Sequence, residues 1–176
     1  MNVLHLTHTD INSDSRILKE LESLSKNKKV RITALGVHMN EENKKYKKIE
    51  HVKIYSINLN SRKLIFLPAF IKHSLSVIEL TLKMIFNSFK AKPSIIHCHD
   101  TLVLPLGVLV KLFTGSKLIY DAHELESNRN GLSNTLGKMT FFVEKLLWRF
   151  IDKIIVVSPS ISKKKKKNIG IKSTEI

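Results

Sequence analysis

The sequence predicts a doubly wound α/β fold: a mostly parallel sheet with helices on both faces. Three observations predict it. Short runs nearly continuous in Val, Ile and Leu alternate with longer segments of helical periodicity along the 176 residues. The strand runs are apolar on both sides, as parallel strands covered on both faces must be. Polar clusters follow three of the strand runs, where an open parallel sheet carries its ligand-binding loops.

Taken in order, Asn2 to Leu6 reads as a first strand ending in the polar loop Thr7 to Ser13. Ile17, Leu18, Leu21 and Leu24 then recur at helical spacing, with Ser13 or Asp14 placed to cap the helix start and Asn27, Lys28 and Lys29 at its end. Val30 to Leu35 reads as a second strand ended by Gly36, and Val52 to Ile57 as a third. Ile65 to Phe89 predicts a long helix, apolar around much of its circumference and therefore expected to be buried on the sheet.

Ser94 to Cys98, after Pro93, reads as a fourth strand. Leu102 to Phe113 follows as a helix with Pro105 tolerated in its first turn; Gly115 turns the chain into a fifth strand, Lys117 to Asp121. Phe141 to Phe150 predicts a helix and Lys153 to Val157 a sixth strand. Ser158 and Pro159 then supply an N-cap and a first helical proline for a final helix.

This length suits one domain, and 43% hydrophobic residues is too apolar for a disordered chain. A single cysteine, Cys98, excludes an internal disulfide framework and suits a reducing compartment. The opening MNVLHLTHTD lacks the succession of a secretory signal, so the cytoplasm is expected. Lys72, His73, Glu79 and Lys83 interrupt the most apolar stretch, which is therefore not a membrane span.

Thirty basic against fifteen acidic residues give +15, which attracts polyanions. Much of the excess sits in the runs Asn43 to Lys48 and Lys163 to Lys167, typical of solvated faces. Tyr46 is the one aromatic residue among these lysines, not the repeated interleaving of a single-strand stacking platform, so no nucleic-acid partner is expected. The charge and the long apolar helix fit either peripheral docking at the inner, anionic face of a plasma membrane or a core helix with solvated lysines.

The candidate chemistry gathers at one sheet edge: His8, Thr9 and Asp10 after the first strand, His97 to Asp100 after the fourth, and Asp121 to Glu124 after the fifth. Such a set can orient hydroxyls, bind phosphate or hold a metal. His97 and His99 share a face if the strand continues, but no third and fourth ligand stand at characteristic spacing, so no metal is expected. His123 and Glu124 read either as an acid-base pair or as a loop contact. The loop Asp10 to Ser15 opens a helix whose amides can receive an anion beside Arg16; equally, it is a plain capped helix start with Arg16 on the surface. There is no G-x-G-x-x-G, no G-x-x-x-x-G-K-[ST] and no G-x-S-x-G, which argues against nicotinamide dehydrogenases, P-loop enzymes and typical serine hydrolases.

Four segments, in order, carry a resemblance: VLHLTHTDINSDSRILKELESLSKN, IIHCHD followed by TLVLPLGVLVKL, KLIYDAHELES, and EKLLWRFIDKIIVVSPSISK. Together they resemble the amino-terminal, Rossmann-like domain of the GT-B fold in family-4-like retaining glycosyltransferases. The resemblance implies transfer of a sugar from a nucleotide-diphosphate donor to an acceptor hydroxyl, sugar or lipid-linked, in envelope polysaccharide or glycolipid synthesis, without a required metal or other cofactor. It implies acceptor-side roles for Asp10 through Ser13, Asn12 among them, and for His99 and Asp100, and a donor-sugar contact for His123 beside Glu124; Arg16 joins the substrate-binding set from its place at the helix start.

The first loop departs from many relatives in lacking paired glycines. The resemblance also places nucleotide recognition in a second domain, and the chain stops about where that domain would begin. A shortened polypeptide, a split gene or a frameshift at an adenine-rich lysine tract would each account for this, and little transferase activity is expected of these residues alone. The alternatives are a piece of a GT-B-type epimerase and a basic anion- or nucleic-acid-binding module.

Overall fold

The computed structural model describes residues 1–38, 49–64, 66–122 and 134–156. The elements run β1 (Asn2–Leu6), α1 (Ser15–Ser25), β2 (Arg31–Val37), β3 (Val52–Ile57), α2 (Ala69–Ala91), β4 (Ile95–Cys98), α3 (Leu104–Thr114), β5 (Lys117–Ala122), α4 (Asn134–Leu147) and β6 (Lys153–Val156). The strands form one parallel sheet in the order β3-β2-β1-β4-β5-β6. Strand order reverses between β1 and β4, whose carboxyl ends flank the crevice where doubly wound sheets bind ligands.

The pleat sends alternate residues to opposite faces. On one face Val3, Ile32 and Ala34 pack beneath α1, which contributes Ile17 and Leu21. On the other, Leu4, Leu6, Ile96, Cys98, Leu118 and Tyr120 form the larger core with residues of α2 and α3. Both faces of the sheet are thus covered, and the α1 face also carries the buried polar residues His5, His97 and Asp121.

Local chemistry explains the boundaries. The Asp14 carboxylate caps α1 by accepting from the amides of Arg16 and Ile17 at 3.0 and 3.3 Å, so Asp14 and not Ser13 is the cap. A short 3₁₀ turn, Ile11–Ser13, precedes it, with Asp10 accepting from the Asn12 amide. Helix α3 leaves β4 through Asp100, which accepts from the Val103 amide at 3.1 Å, and ends at Gly115 in the left-handed region.

Several boundaries differ from the sequence reading. Gly36 does not end β2 but lies inside it, because the β1 loop crosses so closely that a Cβ there would stand 2.7 Å from the Thr9 carbonyl oxygen. Helix α3 starts at Leu104, and α4 begins earlier, at Asn134, and gives way to a 3₁₀ turn at Trp148–Phe150. Helix α2 starts at Ala69 after Pro68 and is not buried as expected. Only Met84 and Ser88 are fully covered, while Phe70 is 81% and Phe86 70% exposed. A helix on one sheet face buries one stripe, so apolar residues around the rest of its circumference stay outside. No helix among the described residues is long and apolar enough to cross a membrane. The lysine runs 43–48 and 163–167, Val157 and the predicted helix from Ser158 lie outside the described residues.

Candidate functional site

Two adjoining polar assemblies form at the switch point, one facing the crevice and one buried beneath α1. In the first, Asp100 organises the carboxyl ends of β1 and β4. Its Oδ2 accepts from His8 Nδ1 at 2.6 Å and from the His8 amide at 3.3 Å, while Oδ1 binds the Val103 amide. The carboxylate is buried and holds the imidazole against the helix start; the His8 ring is part-exposed. His8 and Leu102 border a cleft of about 690 Å³ that continues along α2 past Arg62, His73, Ser76 and Thr81 to Met84. This volume is large enough for a sugar or small glycoside.

The first loop forms a shallower recess of about 430 Å³ lined by Thr9, Asp10, Ser13, Asp14 and Ser15. Asp10 is buried and accepts from both the amide and the side-chain nitrogen of Asn12, so these two brace the loop. Ser13 is exposed, and Arg16 extends over the surface to Asp14, with Nη2 to Oδ2 at 3.2 Å. A recess of about 770 Å³ lies at the opposite, amino edge, lined by Asn2, Arg31, Lys53 and Lys92, away from the strand ends where such sheets bind ligands.

The second assembly is a histidine cluster. His5 on β1 stands directly across from His97 on β4, and His99 follows two residues later on the same face. Ring centroids are 5.0 Å apart for His5 and His97, and 4.3 Å for His97 and His99. His5 Nδ1 and His99 Nε2 share a hydrogen bond at 3.0 Å, and His97 Nδ1 donates to Glu20 Oε1 of α1 at 2.9 Å. Asp121 Oδ2 of β5 stands 3.8 Å from His99 Nδ1.

Burial, reinforced by the two neighbouring imidazoles, holds His5 well below the usual histidine range. Burial likewise lowers His99, with Asp121 and Glu20 opposing it. Glu20 is pushed up by burial but brought below its ordinary value overall by the His97 hydrogen bond and the nearby imidazoles.

The structure therefore divides the sequence-predicted residues. Asp10 and Asn12 brace one loop, Ser13 borders a shallow recess and Arg16 pairs on the surface. Asp100 sets the crevice wall, whereas His99 is buried among histidines and faces away from it. His123 and Glu124 lie outside the described residues. The third and fourth metal-ligand-type side chains that local spacing does not supply come from β1 and α1, as His5 and Glu20. Glu20 carries a trace in the sequence: Ile17, Glu20, Leu21 and Leu24 share one helical stripe, so a carboxylate lies on the inward face.

The sequence model of Glycosyltransferase Family 4 matches residues 24–176. No curated protein sequence matches. Among solved structures, the chain is similar to a sucrose-phosphate synthase from Thermosynechococcus elongatus, with TM-score 0.71, 14% identity and coverage of 99% of this chain and 46% of that one. It is similar to Anabaena Alr3699/HepE in complex with UDP and glucose, with TM-score 0.59, 13% identity and coverage of 99% and 43%. Arabidopsis thaliana UGT89C1 complexed with UDP-L-rhamnose gives TM-score 0.62, 12% identity and coverage of 99% and 51%. At these identities the likeness shows the fold, that of GT-B glycosyltransferases. The chain spans about half the length of these structures.

Proposed function

The chain belongs to Glycosyltransferase Family 4, and on that premise we propose that it forms the acceptor-side half of an enzyme transferring a sugar from a nucleotide-diphosphate donor to an acceptor hydroxyl. The observation that carries this reading is the cleft at the β1–β4 switch point, walled by His8 and fixed by Asp100. An acceptor in that cleft meets an imidazole whose orientation a buried carboxylate sets, the arrangement that positions a hydroxyl for transfer. Structural neighbours hold UDP, glucose and UDP-L-rhamnose, which supports a nucleotide-sugar donor.

In this reading the donor's diphosphate is held by a second domain, and stabilising that leaving group supplies most of the rate enhancement. His123, beside Glu124, contacts the donor sugar. The acceptor is lipid-linked and met at an anionic membrane face, a role supported by the +15 charge and the exposed apolar row on α2.

The test is to assay the 176 residues against a panel of nucleotide-sugar donors, alone and together with a separately expressed downstream region if one exists. Sugar transfer by the pair and none by the chain alone is expected. Transfer by the chain alone overturns the division of labour, and inactivity of the pair overturns the transferase reading.

A further inference from the structure

Buried polar nitrogens normally find hydrogen-bond partners. In the cluster beneath α1, His5 Nε2, His97 Nε2 and His99 Nδ1 are all buried without one. His5 bonds to His99 and His97 to Glu20, while His99 Nδ1 has only the Asp121 and Glu20 carboxylates at 3.8 and 3.9 Å, so one nitrogen of each ring is left without a hydrogen bond, a costly state in a dry interior. Three imidazoles in mutual contact thus hold more donor and acceptor capacity than the protein around them uses.

We propose that His5, His97, His99 and Glu20 form a binding site for one divalent transition-metal ion of the zinc type. One ligand atom from each residue lies within 4.8 Å of all the others. Two of them already stand near coordination spacing: His5 Nδ1 and His99 Nε2 are 3.0 Å apart, close to the roughly 3.3 Å between two nitrogens of a tetrahedral ion with ~2.05 Å bonds. The ion replaces that hydrogen bond and draws His97 and Glu20 inward, and His99, ligating through Nε2, turns its unsatisfied Nδ1 to the Asp121 carboxylate.

The donor set selects the metal class. Three imidazoles and a single carboxylate suit zinc, cobalt or nickel, whereas calcium and magnesium need an oxygen-rich shell. The Asp121 carboxylate, 3.8 Å from His99 Nδ1, stands where metal sites place the group that orients a ligating histidine. Glu20 is 32% exposed and supplies the route in from solvent, while the three histidines are buried. Four protein ligands close the coordination sphere, which marks a structural site. It would clamp α1 to β1 and β4 directly below the crevice, and it does not depend on the transferase reading.

The experiment uses the purified 176-residue chain stripped with chelator and titrated with Zn²⁺ by calorimetry and with Co²⁺ by visible absorption. Expected are one ion per chain, the intense visible bands of tetrahedral Co²⁺, and a rise in thermal midpoint with Zn²⁺. Glu20→Gln, at a part-exposed position that spares the core, lowers affinity at least tenfold, and His97→Ala abolishes binding. The double variant His51→Ala/His73→Ala, at two histidines outside the cluster, retains wild-type affinity. No stoichiometric binding, an octahedral Co²⁺ spectrum, or unchanged affinity in Glu20→Gln overturns the proposal. Should His97→Ala fail to fold by circular dichroism, the Glu20→Gln titration decides alone.

Discussion

Asp100 shows how one side chain sets a site. Its carboxylate accepts from the His8 ring, the His8 amide and the Val103 amide, so the loop after β1, the end of β4 and the start of α3 share one anchor. Asp100→Asn keeps the shape but supplies an amide where an acceptor is needed, so His8 loses its fixed tautomer. In the paired transferase assay, His8→Ala is expected to lower kcat/KM by roughly 100-fold, the usual worth of a positioned proton-transfer group, and Asp100→Asn to a similar extent. Equal kinetics for the variants and the parent would remove His8 from the acceptor site. The sequence places His8 and Asp100 after the first and fourth strands, but their pairing depends on β1 and β4 being adjacent, which no local pattern states.

At the scale of the element, close packing decides what periodicity leaves open. Gly107 of α3 lies over β4 with the position of a Cβ only 2.3 Å from Cys98 Sγ, so the helix packs where no side chain fits. Gly107→Ala is expected to cost about 1–3 kcal/mol in urea unfolding, and the double variant Cys98→Ala/Gly107→Ala to recover most of it. A single variant as stable as the parent would show that α3 can move away. Helix α2 is tied differently: Glu79 accepts from the amides of Asn60 and Ser61 and pairs with Lys83 at 2.6 Å. Although its slight burial pushes the carboxyl up, these hydrogen bonds lower it to about 2. The Asp152 carboxylate, bonded to the Leu118 amide and Lys111, is lowered as well. A carboxylate with a depressed folded-state pKa adds stability that is present above its unfolded value and lost as pH falls through the folded one. For Glu79 that window runs from 4.5 down to about 2. Glu79→Gln is therefore expected to cost about 0.5–1 kcal/mol at neutral pH, the partly exposed pair being screened, and to flatten the loss of thermal stability below pH 4.5. An identical acid profile in the variant would refute that assignment.

At the scale of the whole molecule, the proposed membrane role rests on the charge of +15 and the exposed apolar row of α2. The chain is expected to float with liposomes containing anionic lipid, to stay behind with neutral ones, and to lose flotation in Phe70→Ser/Phe86→Ser. Equal flotation with both lipids, or none, would remove the membrane from the functional reading. By itself the sequence determined the fold class, the order of the elements and most strand boundaries. It also determined that polar groups end three strands, because hydrophobic periodicity and capping residues are local and report directly on which faces are covered. Only the tertiary structure decided that Gly36 lies inside β2, that α2 stays largely outside, that His99 turns inward, and that His5 and Glu20 join His97 and His99. Each of these depends on which strands are neighbours and which helix lies over them, and those contacts join residues up to ninety-four positions apart in the chain.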